Sequence, residues 1–87
     1  MKTMRAKLQV STVQSNKSDS GQILSENVIF NAVARNDAYP DDGSDEDNTY
    51  AKWSPSASLN ILIANPALFG KFEPGQKFYV DFTPTQQ

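Results

Sequence analysis

Five carboxylates stand between Tyr39 and Tyr50 in the run YPDDGSDEDNTY, the place where residue types and spacing come nearest to chemistry. Asp, Glu and Asn oxygens gathered around a glycine are the donors that Ca²⁺ takes, roughly six to eight at a time. The spacing departs from an EF-hand loop: with Gly43 at the glycine position, Ala38 falls where the first Asp belongs and Thr49 where the closing Glu belongs. No metal site is expected on that pattern. Paired carboxylates can also divide acid and base work, but one of them must then be raised in pKa by an apolar pocket. Here they share one polar loop. Ser54, Ser56 and Ser58 offer hydroxyls with Lys52 as the nearby base, a pattern better suited to turns than to nucleophilic attack.

Binding is the chemistry that remains. Tyr39, Tyr50 and Trp53 flank the acids with large rings that carry polar handles, the residue types that concentrate at the centre of interfaces. The candidate partner surface is therefore Tyr39, Asp41, Asp42, Asp45, Glu46, Asp47, Tyr50 and Trp53. The competing reading is a solvated hairpin loop whose like charges keep other molecules off a strand edge. A second candidate is a small anionic, nucleotide-like ligand held by Arg35 and Lys52 with Tyr79 as a stacking ring.

The whole chain narrows the field further. It has 87 residues, no cysteine and no histidine, which removes disulfides, thiol nucleophiles, ordinary zinc sites and every imidazole base. A binding protein and not an enzyme is expected, with no cofactor. The formal charge is −2, and six of the ten acids lie between Asp37 and Asp47. That balance opposes general nucleic-acid binding. The start MKTMRAKLQV lacks the apolar run of a secretory signal, and no stretch reaches membrane-spanning length, so a cytoplasmic protein is expected. A chain this short buries a small core, which makes a homo-oligomer the expectation.

The elements that must position these residues are read from periodicity. Met4, Ala6, Leu8 and Val10 alternate with polar residues, the signature of a strand with one wet face. Val13 falls on the opposite parity, so a bulge intervenes or the strand leaves the sheet near Ser11. SNKSDSGQ then reads as a polar loop. NVIFNAVAR (27–35) reads as a second strand, TYAKW (49–53) as the start of a third, and ASLNILIA (57–64) as a further one. Asn65 to Gly70 reads as one short helical turn, with Leu68 and Phe69 plugging an end of the sheet. Pro74-Gly75 reads as a type II turn leading into a last strand on which Phe78, Val80 and Phe82 share a face. The expected fold is mainly β: a single domain over residues 1–87 with four or five antiparallel strands in a small sandwich or partly open barrel. An acidic loop occupies about 37–48 and a short tail 84–87.

The succession YPDDGSDEDNTYAKW, SPSASLNILIANPAL and GKFEPGQKFYVDFTP resembles small tailed-bacteriophage proteins of no defined activity. The resemblance covers half to two thirds of the chain and implies a setting, so no residue role follows from it. It implies a choice of two jobs. One is an accessory protein acting in the infected host, neutralising a host protein or sequestering an anionic signalling ligand in counter-defence. The other is a virion decoration or cement protein.

Overall fold

The computed structural model describes residues 3–86. Four strands account for its regular structure: β1 (Met4–Lys17), β2 (Ile23–Ala32), β3 (Ser58–Ile63) and β4 (Lys77–Phe82). They form one open sheet in the order β3-β2-β1-β4, with every neighbouring pair antiparallel. A single 3₁₀ turn over Pro66–Leu68 is the only helical element among the described residues. The mainly β, antiparallel expectation and the short turn both hold. No helix among the described residues is long and apolar enough to cross a membrane.

Alternation decides which side of the sheet each residue meets. Val10 lies opposite Phe30, Leu8 opposite Phe78 and Ala32, Ala6 opposite Val80, and Val28 opposite Ile61, so these residues share one face. Ala6, Leu8, Val10, Val28, Phe30 and Ile63 are the buried apolar core. Phe72 and Phe78 set their rings nearly perpendicular to that of Phe30, with centroids 5.9 and 6.1 Å away. This edge-to-face arrangement puts ring edges against a π face. Phe69 also packs on the core, whereas Leu68, expected beside it as a plug, is exposed.

The parity of Val13 is explained by a bulge. The β1/β2 register shifts between Val10 and Thr12, leaving Ser11 as the extra residue, and Val13 then lies opposite Val28 on the core side. Ser11 Oγ donates to the Ile29 carbonyl at 3.1 Å and so satisfies an acceptor that the irregularity frees. With the bulge in place β1 continues to Lys17, and the reversal shrinks to Ser18–Gln22, closed by Ser18 N–H to the Gln22 carbonyl at 2.9 Å. Consequently β2 starts at Ile23 and stops at Ala32, earlier at both ends than the pattern 27–35 predicts.

Two further turns follow their residue types. Gly75 has φ +96°, and Gln76 N–H donates to the Glu73 carbonyl at 3.2 Å, as a Pro-Gly type II turn requires. Asn65 caps the 3₁₀ turn, its Oδ1 accepting from Ala67 N–H at 3.1 Å. The segment 49–53 is where the sequence reading fails: it forms no strand, and its one sheet-like contact is an isolated bridge between Ser44 and Lys52. The reason is local. Trp53 sits in the left-handed region at φ +63°, which no strand tolerates, and Asn48 and Thr49 hold β1 by side-chain bonds in place of a ladder.

Candidate functional site

The acidic loop begins where β2 runs out. The last β1/β2 pair is Leu8 with Ala32, and Val33 N–H still reaches the Lys7 carbonyl at 3.0 Å. Further toward the N-terminus that edge of β1 has no strand beside it, and its backbone groups need partners. The loop supplies them. Asn48 Oδ1 accepts the Lys7 N–H at 2.8 Å, Thr49 Oγ1 accepts the Arg5 N–H at 2.9 Å, and Thr49 N–H donates to the Arg5 carbonyl at 2.9 Å.

Asn48 is wholly buried and uses its full bonding capacity. Besides Lys7 N–H, its Oδ1 takes the Tyr50 hydroxyl at 3.5 Å, while Nδ2 donates to the Val33 carbonyl at 2.8 Å and to Asp45 Oδ2 at 3.1 Å. Asp45, also buried, accepts in addition from the N–H groups of Asp47 (2.9 Å) and Asn48 (3.1 Å) and from the Tyr39 hydroxyl at 3.4 Å. Burial alone would raise its pKa. The bonds from the Asn48 side chain and from backbone N–H groups outweigh that, and the carboxyl is held below its ordinary range.

A second polar set lies on the face of the sheet opposite the core. Lys7, itself buried, donates through Nζ to Asn36 Oδ1 at 2.9 Å and pairs with Asp47 Oδ2 at 3.5 Å. The other oxygen of Asp47 accepts the Tyr79 hydroxyl at 2.9 Å. Arg5 stacks over the Tyr79 ring at 4.4 Å and grips Asp81 with two bonds of 2.8 and 3.1 Å. The bond to Asp47, with burial and the charge of Asp47, raises the Tyr79 pKa; the bond to Asp81 raises that of Arg5. Arg35 contacts the Ser44 carbonyl at 3.3 Å and the Glu46 carboxylate at 3.0 Å.

What projects from this framework is Trp53. Its ring lies directly on Gly43, where a Cβ would meet ring atoms at 2.4 to 2.7 Å, and its centroid is 5.8 Å from that of Tyr39. Gly43 is required twice, by the ring above it and by its φ of +74°. Trp53 N–H donates to the Gly43 carbonyl at 2.7 Å, and Asp42 Oδ1 accepts the Ser44 N–H at 3.0 Å, which lowers the Asp42 pKa. With 52% of its surface in water, Trp53 is nonetheless fixed in a strained left-handed conformation.

The candidate partner residues therefore divide. Asp41, Asp42, Glu46 and Trp53 are exposed and Tyr39 is half-buried, so these five present chemistry outward. Asp45, Asp47 and Tyr50 are drawn inward by the bonds above and brace the loop. Of the candidate ligand residues, Arg35 and Lys52 both attach to Ser44, while Tyr79 stands on the sheet with its hydroxyl on Asp47. An open depression of about 510 Å³ is lined by Ser44, Asp45, Glu46, Thr49, Tyr50, Ala51 and Lys52, and Arg35 and Tyr79 are not among its walls. Among the described residues no group of three or more His, Cys, Asp or Glu is placed to hold a metal ion. The residues to which sequence reasoning gave no role in the site are Asn48, Thr49 and Gly43. For Gly43 a signal existed, since a glycine within an Asp-rich turn requires a reason; for Asn48 there was none, because its role depends on a strand forty-one residues away. Comparison with protein-family models, curated proteins and solved structures gave no match to this chain.

Proposed function

We propose that the chain works by stoichiometric protein binding, with Trp53 as the anchor and Asp41, Asp42 and Glu46 as its charged rim. The observation that carries this reading is Trp53 itself: a large ring, half in solvent, held at φ +63° over Gly43. Left-handed backbone at a bulky residue costs on the order of 1–3 kcal/mol and persists where surrounding contacts impose it, characteristically at binding sites. An aromatic anchor ringed by carboxylates suits a partner that offers an apolar slot bordered by Lys or Arg.

Under the phage resemblance the partner is a host protein, and the role is counter-defence by occupation of a basic surface. A protein partner is favoured over a small anion because three cations of the region already carry carboxylates of the chain: Arg5 with Asp81, Lys7 with Asp47 and Arg35 with Glu46. The proposed action is stoichiometric and non-enzymatic. The alternative, a virion decoration protein, draws support from the shape, a slab of 56 × 33 × 16 Å suited to lying flat on a shell.

The test is comparative. Tagged wild-type chain and Trp53→Ser are expressed in infected host cells, and one partner is quantified in both eluates while circular dichroism checks that the variant is folded. A partner recovered at fixed stoichiometry and reduced at least ten-fold by Trp53→Ser is the expected result. Equal recovery with both chains rejects the Trp53 anchor, and high copy number of the chain in purified virions moves the role to the alternative.

A further inference from the structure

We propose that the outer edge of β3 is a self-association surface, on which a second copy of this chain lays its own β3 antiparallel to build one continuous eight-stranded sheet. The proposal is independent of Trp53 and rests on the contrast between the two sheet edges. A free edge exposes a row of N–H and C=O groups, and a monomer guards it with charge, proline or a bulge. β4 is guarded: Lys77 and Asp81 lie within it, and Asp81 is further held by Arg5. β3 is not. Its six residues, SLNILI, contain no charge and no proline, its pairing with β2 has no register shift, and Ile61 and Leu62 are 41% and 61% exposed.

The occupant follows from the composition of the strand. An uncharged edge prefers an uncharged strand, and the core-face residues of β3, Leu59, Ile61 and Ile63, stay aliphatic against one another when the strand is reversed. With the two-fold axis at Ile61, directly opposed residues fall on the same face, as antiparallel pairing demands. Leu59 then meets Ile63 of the second copy, Ile61 meets its own equivalent, and Ile63 meets Leu59. Every contact on the core face is thus an aliphatic pair, of the type that stabilises cross-strand neighbours. Centring on Asn60 would instead pair Leu59 with Ile61 and Ser58 with Leu62, so the cross-linking below also tells the two registers apart. Pro55 before the strand and Pro66 after it confine the pairing to this length.

Because the chain has no cysteine, single substitutions report the pairing directly. In the proposed register residue 61 faces its equivalent at about 4.5–5.5 Å between Cα atoms, within the range a disulfide spans. Two copies of residue 58 are displaced by six positions, roughly 20 Å. Under mild oxidation Ile61→Cys is expected to give a cross-linked dimer in most chains and Ser58→Cys almost none. Sedimentation of the unmodified chain is expected to show a reversible dimer that Leu62→Lys converts to monomer, with the β circular dichroism unchanged. A wild-type chain that stays monomeric at the highest concentration reached overturns the proposal. So does a dimer that survives Leu62→Lys, or cross-linking of Ser58→Cys as efficient as that of Ile61→Cys.

Discussion

Asn48 Oδ1 accepts the backbone N–H of Lys7 at 2.8 Å, so a side chain from the acidic loop stands where β2 would otherwise continue along β1. The loop is thereby part of the sheet's hydrogen bonding, and its charge is partly consumed in fixing its own shape. Asn48→Ala should destabilise the fold by about 2–4 kcal/mol, because it strands the Lys7 N–H, the Val33 carbonyl and a bond to Asp45 together. Urea unfolding measures it; a loss below about 0.5 kcal/mol would mean that water replaces these bonds freely.

The five carboxylates between Tyr39 and Tyr50 should separate into two classes under neutralisation. Asp41→Asn, on an exposed side chain with no bond to the framework, should change stability by less than about 0.5 kcal/mol. Asp45→Asn should cost at least about 1–3 kcal/mol, since an amide cannot accept every bond that the buried carboxylate takes. Equal effects at the two positions, read from paired urea midpoints, would refute the division.

The same Asp45 sets an acid limit. Its folded pKa is depressed below the unfolded value of about 3.9, so its contribution is complete above that value and disappears as pH falls through the folded pKa. Wild-type stability should therefore drop below about pH 4, and Asp45→Asn should drop less steeply over the same interval. Parallel curves for the two chains would assign the acid sensitivity elsewhere.

Tyr79 sets an alkaline limit with the opposite sign. Its folded pKa is raised, first by the bond to Asp47, so the neutral hydroxyl contributes fully below its unfolded pKa of about 10 and loses that contribution as pH rises through the folded value. Tyr79→Phe should lower stability slightly at neutral pH and flatten the alkaline loss above about pH 10. An unchanged alkaline profile would show that the Asp47 bond is not maintained in solution.

Gly43→Ala should cost about 1–3 kcal/mol and displace the indole, moving the tryptophan emission to longer wavelength. In a Trp53→Ser background the clash is gone and only the penalty of the left-handed backbone at residue 43 remains, so the second cost should be smaller. Additive losses in that double-mutant cycle would contradict the contact.

Period-two patterning made the body of the sheet legible, because one residue out of register would have turned Ala6, Leu8 and Val10 to water. It located β3 and β4 nearly to the residue. The pattern gave less at the ends of β1 and β2, where Ser15, Asn16 and Lys17 look like loop residues and form a strand because the opposite strand pairs with them. In the candidate site, composition identified the acids and rings but not their division of labour. Whether an Asp faces solvent or a backbone N–H is decided by what lies across the chain, as at Asp45 and Asp41, and no local spacing encodes that. Segment 49–53 misled for the same reason: its alternation is that of a strand, while its backbone is fixed by contacts with Gly43 and β1.

The bulge at Ser11 has an architectural corollary. β4 pairs with β1 no further than Gln9, and β3 pairs with β2 no further than Glu26, so the hairpin tip from Asn16 to Ser25 stands clear of both outer strands. Val13 and Val28 are paired on the sheet side of that tip, and a second register shift between Asn16 and Lys17 already breaks the ladder there, so residues gained or lost beyond Asn16 and Ser25 leave their orientation unchanged. The tip should therefore tolerate changes in length, and a reporter peptide inserted at Ser20 should leave the rest of the molecule unaltered.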